Sequence, residues 1–84
     1  MLKDEILKKK IIYRSTHRGN KEMDLLLGNF VKKYINQFSK YELIDLEKLI
    51  FQEDEKIYKW YYSKIVDENI PVTKVSTLLR NFKP

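Results

Sequence analysis

The sequence predicts an all-α fold, a small five-helix bundle that forms a single domain over residues 1–84. Apolar residues recur at the three- and four-residue spacing of a helix in five segments. No stretch alternates apolar and polar residues for long enough to form a strand, and no hairpin dipeptide is present. The connections are short, so neighbouring helices are expected to run antiparallel.

The first two helices are predicted on either side of a short loop. The first spans about residues 2–15. Leu2, Ile6 and Tyr13 are expected on one face, with Leu7 and Ile11 beside it. The second carries the clearest apolar stripe at helical period, formed by Met23, Leu26, Leu27, Phe30, Val31, Tyr34, Ile35 and Phe38. Gly28 lies off this stripe, and either a kink or close packing against another helix explains it.

Each of the last three helices is marked by a start signal. Ser39 and Glu42 form a capping-box pattern before the third helix. Asp54 is a favourable N-cap for the fourth, and Pro71 or Thr73 marks the start of the fifth. The side chains expected to face the core from these helices are Leu43, Leu46, Leu49, Ile50, Ile57, Tyr58, Tyr61, Ile65, Val72, Val75, Leu79 and Phe82.

Four aromatic residues, Tyr58, Trp60, Tyr61 and Tyr62, are crowded into the fourth helix. We interpret them mainly as packing, with Tyr58 and Tyr61 in the core. Either Trp60 or Tyr62 is then expected at the surface, where it adds amphipathic contact area.

The net charge of +5 is unevenly distributed. Residues 1–33 hold nine Lys/Arg against four Asp/Glu, whereas residues 34–84 hold eight of each. This pattern indicates a docking face for an acidic partner or a nucleic acid. A solvated lysine-rich helix explains it equally well.

Several classes of site are excluded or disfavoured by composition. The absence of cysteine excludes disulfides and thiolate metal sites. His17 is the single histidine, has no clustered carboxylates beside it, and is interpreted as a solvent-exposed loop residue. We therefore predict no metal site and no catalytic residue. The two glycines are nine residues apart, so no phosphate-cradling loop is expected.

No signal for a membrane or an export route is found in the sequence. No apolar run approaches the roughly 20 residues that span a bilayer. The first residues begin no signal peptide and no Arg- and Ser-rich transit segment. These observations predict a bacterial cytoplasmic location without membrane insertion.

The loop between the first two helices contains Arg18 and Gly19, followed three residues later by Glu22. A local explanation is available for each residue. Gly19 supplies a positive φ that ends a helix. Glu22 is favoured near a helix N-terminus, and Arg18 pairs with it.

The sequence around this loop adds specificity. Residues 12–27 read (L/I)-Y-R-S-x-x-R-G-x-x-E-x-D-x-x-L, and residues 54–60 form an acidic turn followed by Ile57, Tyr58 and Trp60. Both patterns resemble the succinate dehydrogenase assembly factor 2 family, the small FAD assembly factors with an RGxxE motif. The resemblance covers roughly residues 10–62, and the last helix adds little to it.

The resemblance implies an accessory protein rather than an enzyme. Such a protein binds the flavoprotein subunit of succinate dehydrogenase and promotes covalent attachment of FAD to it. The sequence does not decide whether the flavoprotein subunit of fumarate reductase is a second partner. FAD is then the partner's cofactor, this chain binds none tightly, and the free protein is expected to be a monomer. The partner-binding residues carried over are Arg18, Gly19 and Glu22, with Asp24 a weaker addition. Arg18 is expected to be exposed in the free protein and oriented by Glu22.

Two other function classes stay open on the residues alone. The first is a small basic helical protein that binds nucleic acid. No recognition helix with Arg, Asn or Gln on an exposed face is evident, so no nucleic-acid partner is expected. The second is a generic helical protein-interaction module.

Overall fold

Five helices follow one another in the computed structural model, which describes residues 2–84. They are α1 (Leu2–Thr16), α2 (Lys21–Tyr34), α3 (Lys40–Ile50), α4 (Asp54–Tyr62) and α5 (Lys74–Asn81). No strand is present within residues 2–84, so the predicted all-α, five-helix fold is confirmed. None of these helices is both long enough and apolar enough to span a bilayer.

Helix α1 packs along α2 and against α3, and α3 also packs against α5. The Phe30 ring lies 5.0 Å from that of Tyr34 and 5.4 Å from that of Phe82, so it joins α2 to the end of α5. The buried apolar side chains are Ile11, Met23, Leu26, Leu27, Phe30, Val31, Ile35, Leu43, Leu46, Leu49, Ile50, Ile57, Trp60, Tyr61, Ile70, Val75 and Leu79.

The face that α1 presents to the core differs from the prediction. Ile11 is fully buried and Leu7 packs beside it, whereas Ile6 and Tyr13 are each about two-thirds exposed. The face of Ile6 and Tyr13 is therefore turned to solvent, and the flanking residues Leu7 and Ile11 form the inward face instead. The side chain of Leu2 lies outside the described residues. Because α1 is covered by both α2 and α3, the two neighbours, and not the spacing within α1, select the buried stripe.

The stripe of α2 is confirmed, although the helix ends at Tyr34. Ile35 lies in the turn that follows and Phe38 lies just after it, and both still pack on the core. The helix continues without interruption through Gly28. A Cβ built there would lie 3.3 Å from Thr16 Cγ2, so close packing against α1 explains this glycine better than a kink.

Two of the predicted helix starts are confirmed and one is wrong. The capping box of Ser39 with Glu42 is present, and Thr73 caps α5. The N-cap of α4 is Glu53, and Asp54 is the first helical residue. Glu53 has the extended backbone of a cap, and the Asp54 carboxylate is bonded to a side chain from another part of the chain, described below.

The aromatic residues of α4 divide between core and surface. Trp60 and Tyr61 are buried, whereas Tyr58 and Tyr62 are a little over two-fifths exposed. The prediction that Tyr58 lies in the core is wrong, because the inward face of α4 is set by Ile57, Trp60 and Tyr61 at helical spacing. The predicted inward positions of Ile65 and Val72 are also wrong, since both lie outside helices and are exposed.

Candidate functional site

A four-residue loop, residues 17–20, joins α1 to α2 and carries the start of the motif. Gly19 has a φ of +80°, a conformation that side-chain-bearing residues rarely adopt. A Cβ built on it would meet no atom within 4 Å. The glycine is therefore required here by the backbone and not by a neighbouring group, and its outer side is open.

Asn20 fixes the start of α2. Its side-chain oxygen accepts hydrogen bonds from the backbone N–H groups of Glu22, at 3.0 Å, and Met23, at 3.3 Å. Asparagine is among the best N-cap residues. Asn20 has no predicted role in the motif, and its preference for N-cap positions is the sequence signal that identifies the cap.

The Arg18 side chain points into the protein and is only 5% exposed. Its Nε donates to Asp54 Oδ1 at 2.7 Å, and its terminal nitrogens donate to the backbone carbonyls of Ile50 and Gln52. Ile50 is the last residue of α3 and Asp54 is the first of α4. Arg18 thus satisfies carbonyls that the end of a helix leaves unpaired and balances a carboxylate at the start of the next helix.

The expectations that Arg18 is exposed and that Glu22 orients it are therefore wrong. The planar guanidinium has five N–H donors. Two carbonyls and the Asp54 carboxylate use more of these donors than the Glu22 carboxylate alone would use. These three acceptors lie together only because the turn between α3 and α4 packs beside the loop. Whether a partner also contacts Arg18 stays a prediction.

Asp24 ties the loop to α2 from the other side. Its Oδ1 accepts a 2.7 Å hydrogen bond from the backbone N–H of Arg18. Both the backbone and the side chain of Arg18 are thus held by carboxylates of this chain, Asp24 and Asp54. Of the four residues predicted to bind a partner, Arg18 and Asp24 make contacts within the chain, and Gly19 and Glu22 are left exposed.

The Glu22 charge acts on Tyr62, one of the two exposed tyrosines of α4. Burial first, and then the negative charge of Glu22, raise the pKa of Tyr62 above its ordinary value. The rings of Tyr58 and Tyr62 are 4.7 Å apart between centroids. We call the surface formed by Gly19, Glu22, Tyr58 and Tyr62 the Glu22–Tyr62 face.

A shallow cleft of about 310 Å³ is lined by Arg14, His17, Arg18 and the turn between α3 and α4. The Arg14 guanidinium covers the exposed Phe51 ring at 4.7 Å. The His17 ring stacks on Tyr13 at 4.0 Å and is exposed, which confirms its interpretation as a loop histidine. Among residues 2–84 no group of three His, Asp or Glu residues is arranged to hold a metal ion.

Comparison with known proteins adds a family to this geometry. A family model described as "Flavinator of succinate dehydrogenase" matches residues 9–83. A protein of Scheffersomyces stipitis named "Succinate dehydrogenase assembly factor 2, mitochondrial" is 45% identical over 56 residues, 67% of this chain. Its namesake in Debaryomyces hansenii is 34% identical over 94% of the chain. The "FAD assembly factor SdhE" of Acetobacter pasteurianus is 27% identical over 87% of the chain.

The matches differ in how much of each relative they include. The chain spans 38% of the Scheffersomyces protein, 52% of the Debaryomyces protein and 64% of the Acetobacter protein. No solved structure matches the chain significantly.

The comparisons correct the predicted location. Relatives from two yeasts and from Dictyostelium discoideum are named mitochondrial, so the prediction of a cytoplasmic location is wrong. That prediction depended on the first residues of the chain, whereas the names of these relatives point to mitochondria.

Proposed function

This chain belongs to the family described as flavinator of succinate dehydrogenase, and from that premise we propose that it is an assembly factor. It binds the flavoprotein subunit of succinate dehydrogenase and promotes covalent attachment of FAD to that subunit. The names of its relatives in yeasts and in Acetobacter pasteurianus support this proposal.

The observation that carries the proposal is the separation of the motif into an inward half and an outward half. Arg18 and Asp24 hold the loop through hydrogen bonds within the chain. Gly19 and Glu22 are left on the surface. A loop whose position is already determined loses little conformational freedom when a partner binds, which favours affinity.

The Glu22–Tyr62 face has the composition of a protein-binding surface. Tyrosine is enriched at interfaces, because its ring contributes a large contact area and its hydroxyl stays hydrogen-bonded. The exposed rings of Tyr58 and Tyr62 lie against each other, and the Glu22 charge acts on Tyr62. The backbone of Gly19, three residues before Glu22, is open to close approach. We place the contact with the flavoprotein subunit on this face.

The proposed role is non-catalytic, and the flavin is held by the partner. The backbone N–H groups at the start of α2 would be the natural phosphate-binding point of a loop-to-helix junction. Two of them already bond to the Asn20 side chain. We therefore propose that the free chain, a monomer, binds FAD no tighter than micromolar.

The test is flavinylation of the flavoprotein subunit, measured by in-gel flavin fluorescence in cells that lack their own assembly factor. Wild-type chain and the Glu22→Gln and Tyr58→Ala variants are compared at equal protein level. The matched control is Glu68→Gln, which removes another exposed carboxylate. Truncating a central interface residue costs about 2 kcal/mol, roughly thirtyfold in affinity. We expect fluorescence to fall sharply for both variants and to stay at wild-type level for the control.

Full flavinylation without any added wild-type chain would overturn the proposed function. If the wild-type chain restores flavinylation and both variants restore it equally well, the proposed function is supported. The Glu22–Tyr62 face is then rejected as the site of that function. Submicromolar binding of free FAD would favour a flavin carrier instead. The same assay with the fumarate reductase flavoprotein subunit tests that second client.

A further inference from the structure

A second surface, separate from the Glu22–Tyr62 face, lies between the first two helices. This α1–α2 groove has a volume of about 430 Å³, and its lining includes Ile12, Thr16, Gly28, Val31, Lys32 and Asn36. It begins beside Thr16, the last residue of α1, and so adjoins the loop that carries the motif.

The floor of the groove is apolar. Val31 and Ile35 are buried beneath it, and Ile12 is 44% exposed at its side. Gly28 also lines the groove, at the point where α2 packs closely against Thr16 of α1. An exposed isoleucine beside a gap of this size gains hydrophobic stabilisation if an apolar side chain covers it.

The edges of the groove are positively charged. Lys32 lines it, and Lys8 reaches across one end, where its Nζ donates to Asn36 Oδ1 at 3.3 Å. Lys9 lies one helical turn before Ile12. Among the described residues, none of these three lysines is within ion-pair distance of a carboxylate, whereas three lysines elsewhere (Lys10, Lys59 and Lys74) each have such a partner.

No carboxylate lines the groove. The nearest acidic residues in sequence, Asp4 and Glu5, lie a turn before Lys8 and Lys9. Unpaired cations around an apolar floor complement a segment that carries carboxylates beside an apolar residue. A nucleic acid would satisfy the lysines through its phosphates, but it offers no aliphatic side chain to cover Ile12.

We propose that the α1–α2 groove docks an acidic segment of the flavoprotein subunit, with one Leu, Ile or Phe side chain against Ile12. Asp or Glu residues that flank this side chain pair with Lys8 and Lys32. The inference rests on the proposed function, because it takes its partner from there. It makes the groove a second contact with the same subunit, beside the motif loop.

The test is the Kd of fluorescein-labelled chain for the purified apo flavoprotein subunit, measured by fluorescence anisotropy at low and high salt. The variants are Lys32→Glu and Ile12→Ser. The control is Lys83→Glu, which makes the same charge change near the end of the chain. Circular dichroism verifies that every variant is folded, as expected for changes at exposed positions.

We expect Lys32→Glu to weaken binding about tenfold at low salt and to reduce the dependence of Kd on salt. Ile12→Ser should weaken binding about fivefold at either salt concentration, since loss of apolar contact is not screened. Lys83→Glu should change the Kd by less than about twofold.

Other results would overturn the inference. Equal Kd values for all four proteins would remove the groove as a docking site and leave the proposed function intact. If the wild-type chain neither binds the subunit nor supports flavinylation, both proposals fail. If Lys32→Glu abolishes binding to RNA, or Ile12→Ser abolishes self-association, while neither changes binding to the subunit, the groove has a different occupant.

Discussion

Arg18 and Asp54, 36 residues apart in the sequence, are joined by a 2.7 Å hydrogen bond between Nε and Oδ1. The bond connects the loop after α1 to the first turn of α4. Together with the bonds from Arg18 to the carbonyls of Ile50 and Gln52, it holds the loop against the turn between α3 and α4. The arginine of the motif thus places Gly19 and Glu22 on the surface.

Replacing Arg18 should destabilise the fold. Arg18→Ala leaves the Asp54 carboxylate and the Ile50 and Gln52 carbonyls without their donors. Loss of bonds to a charged group that is nearly buried costs about 2–3 kcal/mol. The measurement is the free energy of unfolding from urea denaturation.

Arg14→Ala is the control for Arg18→Ala, because Arg14 is an exposed arginine four residues earlier. It should change stability by no more than about 0.5 kcal/mol. A stability of Arg18→Ala equal to that of the wild-type protein would show that the Arg18 network contributes nothing to folding.

The proximity of Glu22 and Tyr62 can be measured by titration. Burial and the Glu22 charge both raise the pKa of the Tyr62 hydroxyl. Glu22→Gln removes the charge and keeps the shape, so the Tyr62 pKa should fall towards its ordinary value of about 10. The shift is followed by ¹³C NMR of labelled tyrosine rings.

Glu68→Gln serves as the control for this titration and should leave the Tyr62 pKa unchanged. If the pKa of Tyr62 were the same in Glu22→Gln as in the wild-type protein, Glu22 would not lie near Tyr62. The two residues would then not form one surface.

Trp60 anchors α4 in the core and is 3% exposed. Arg80 of α5 lies over its ring at 5.2 Å. Trp60→Ala should lower the free energy of unfolding by about 3 kcal/mol or more through lost burial and a cavity. Tyr62→Ala, at a half-exposed aromatic of the same helix, should lower the free energy of unfolding by less than half as much.

Because Trp60 is the single tryptophan, blue-shifted fluorescence of the native protein independently tests its burial. Solvent-like emission would contradict the predicted cost.

Glu42 links stability to acid. Its pKa is lowered chiefly by a hydrogen bond from the Ser39 backbone N–H and then by one from Lys74. Because the pKa of Glu42 is lower in the folded state than in the unfolded state, its ionised carboxylate stabilises the fold when the pH is above the unfolded-state pKa. This contribution is lost as the pH falls through the folded-state pKa. The melting temperature of the wild-type protein should therefore exceed that of Glu42→Gln at pH 7, and the two should converge below about pH 4.

A gap between the two melting temperatures that did not change with pH would rule out this linkage. Glu55→Gln is the comparison, since Glu55 is exposed and its ion pair with Lys59 lies within one helix. Such pairs contribute about 0.5 kcal/mol or less, so its melting temperature should differ little from the wild-type value at any pH.

The helices and most of their ends could be predicted because their causes are local. The stripe of α2 depends on spacing along one helix. The capping box of Ser39 and Glu42 depends on residues three apart. The positive φ of Gly19 was likewise predictable, since few other residues adopt it. The motif and its family resemblance were also read directly from the order of residues.

The direction of a side chain was not predictable where a distant segment decides it. Arg18 was expected to face Glu22, four residues away, but it bonds to groups 32 to 36 residues away. Tyr58 was assigned to the core, although the packing of α4 buries Trp60 instead. The sequence by itself determined which segments are helical and which residues form the motif. Only the tertiary structure decided which half of the motif holds the fold and which half is exposed, because that depends on the carbonyls and carboxylate that the turn between α3 and α4 brings beside the loop.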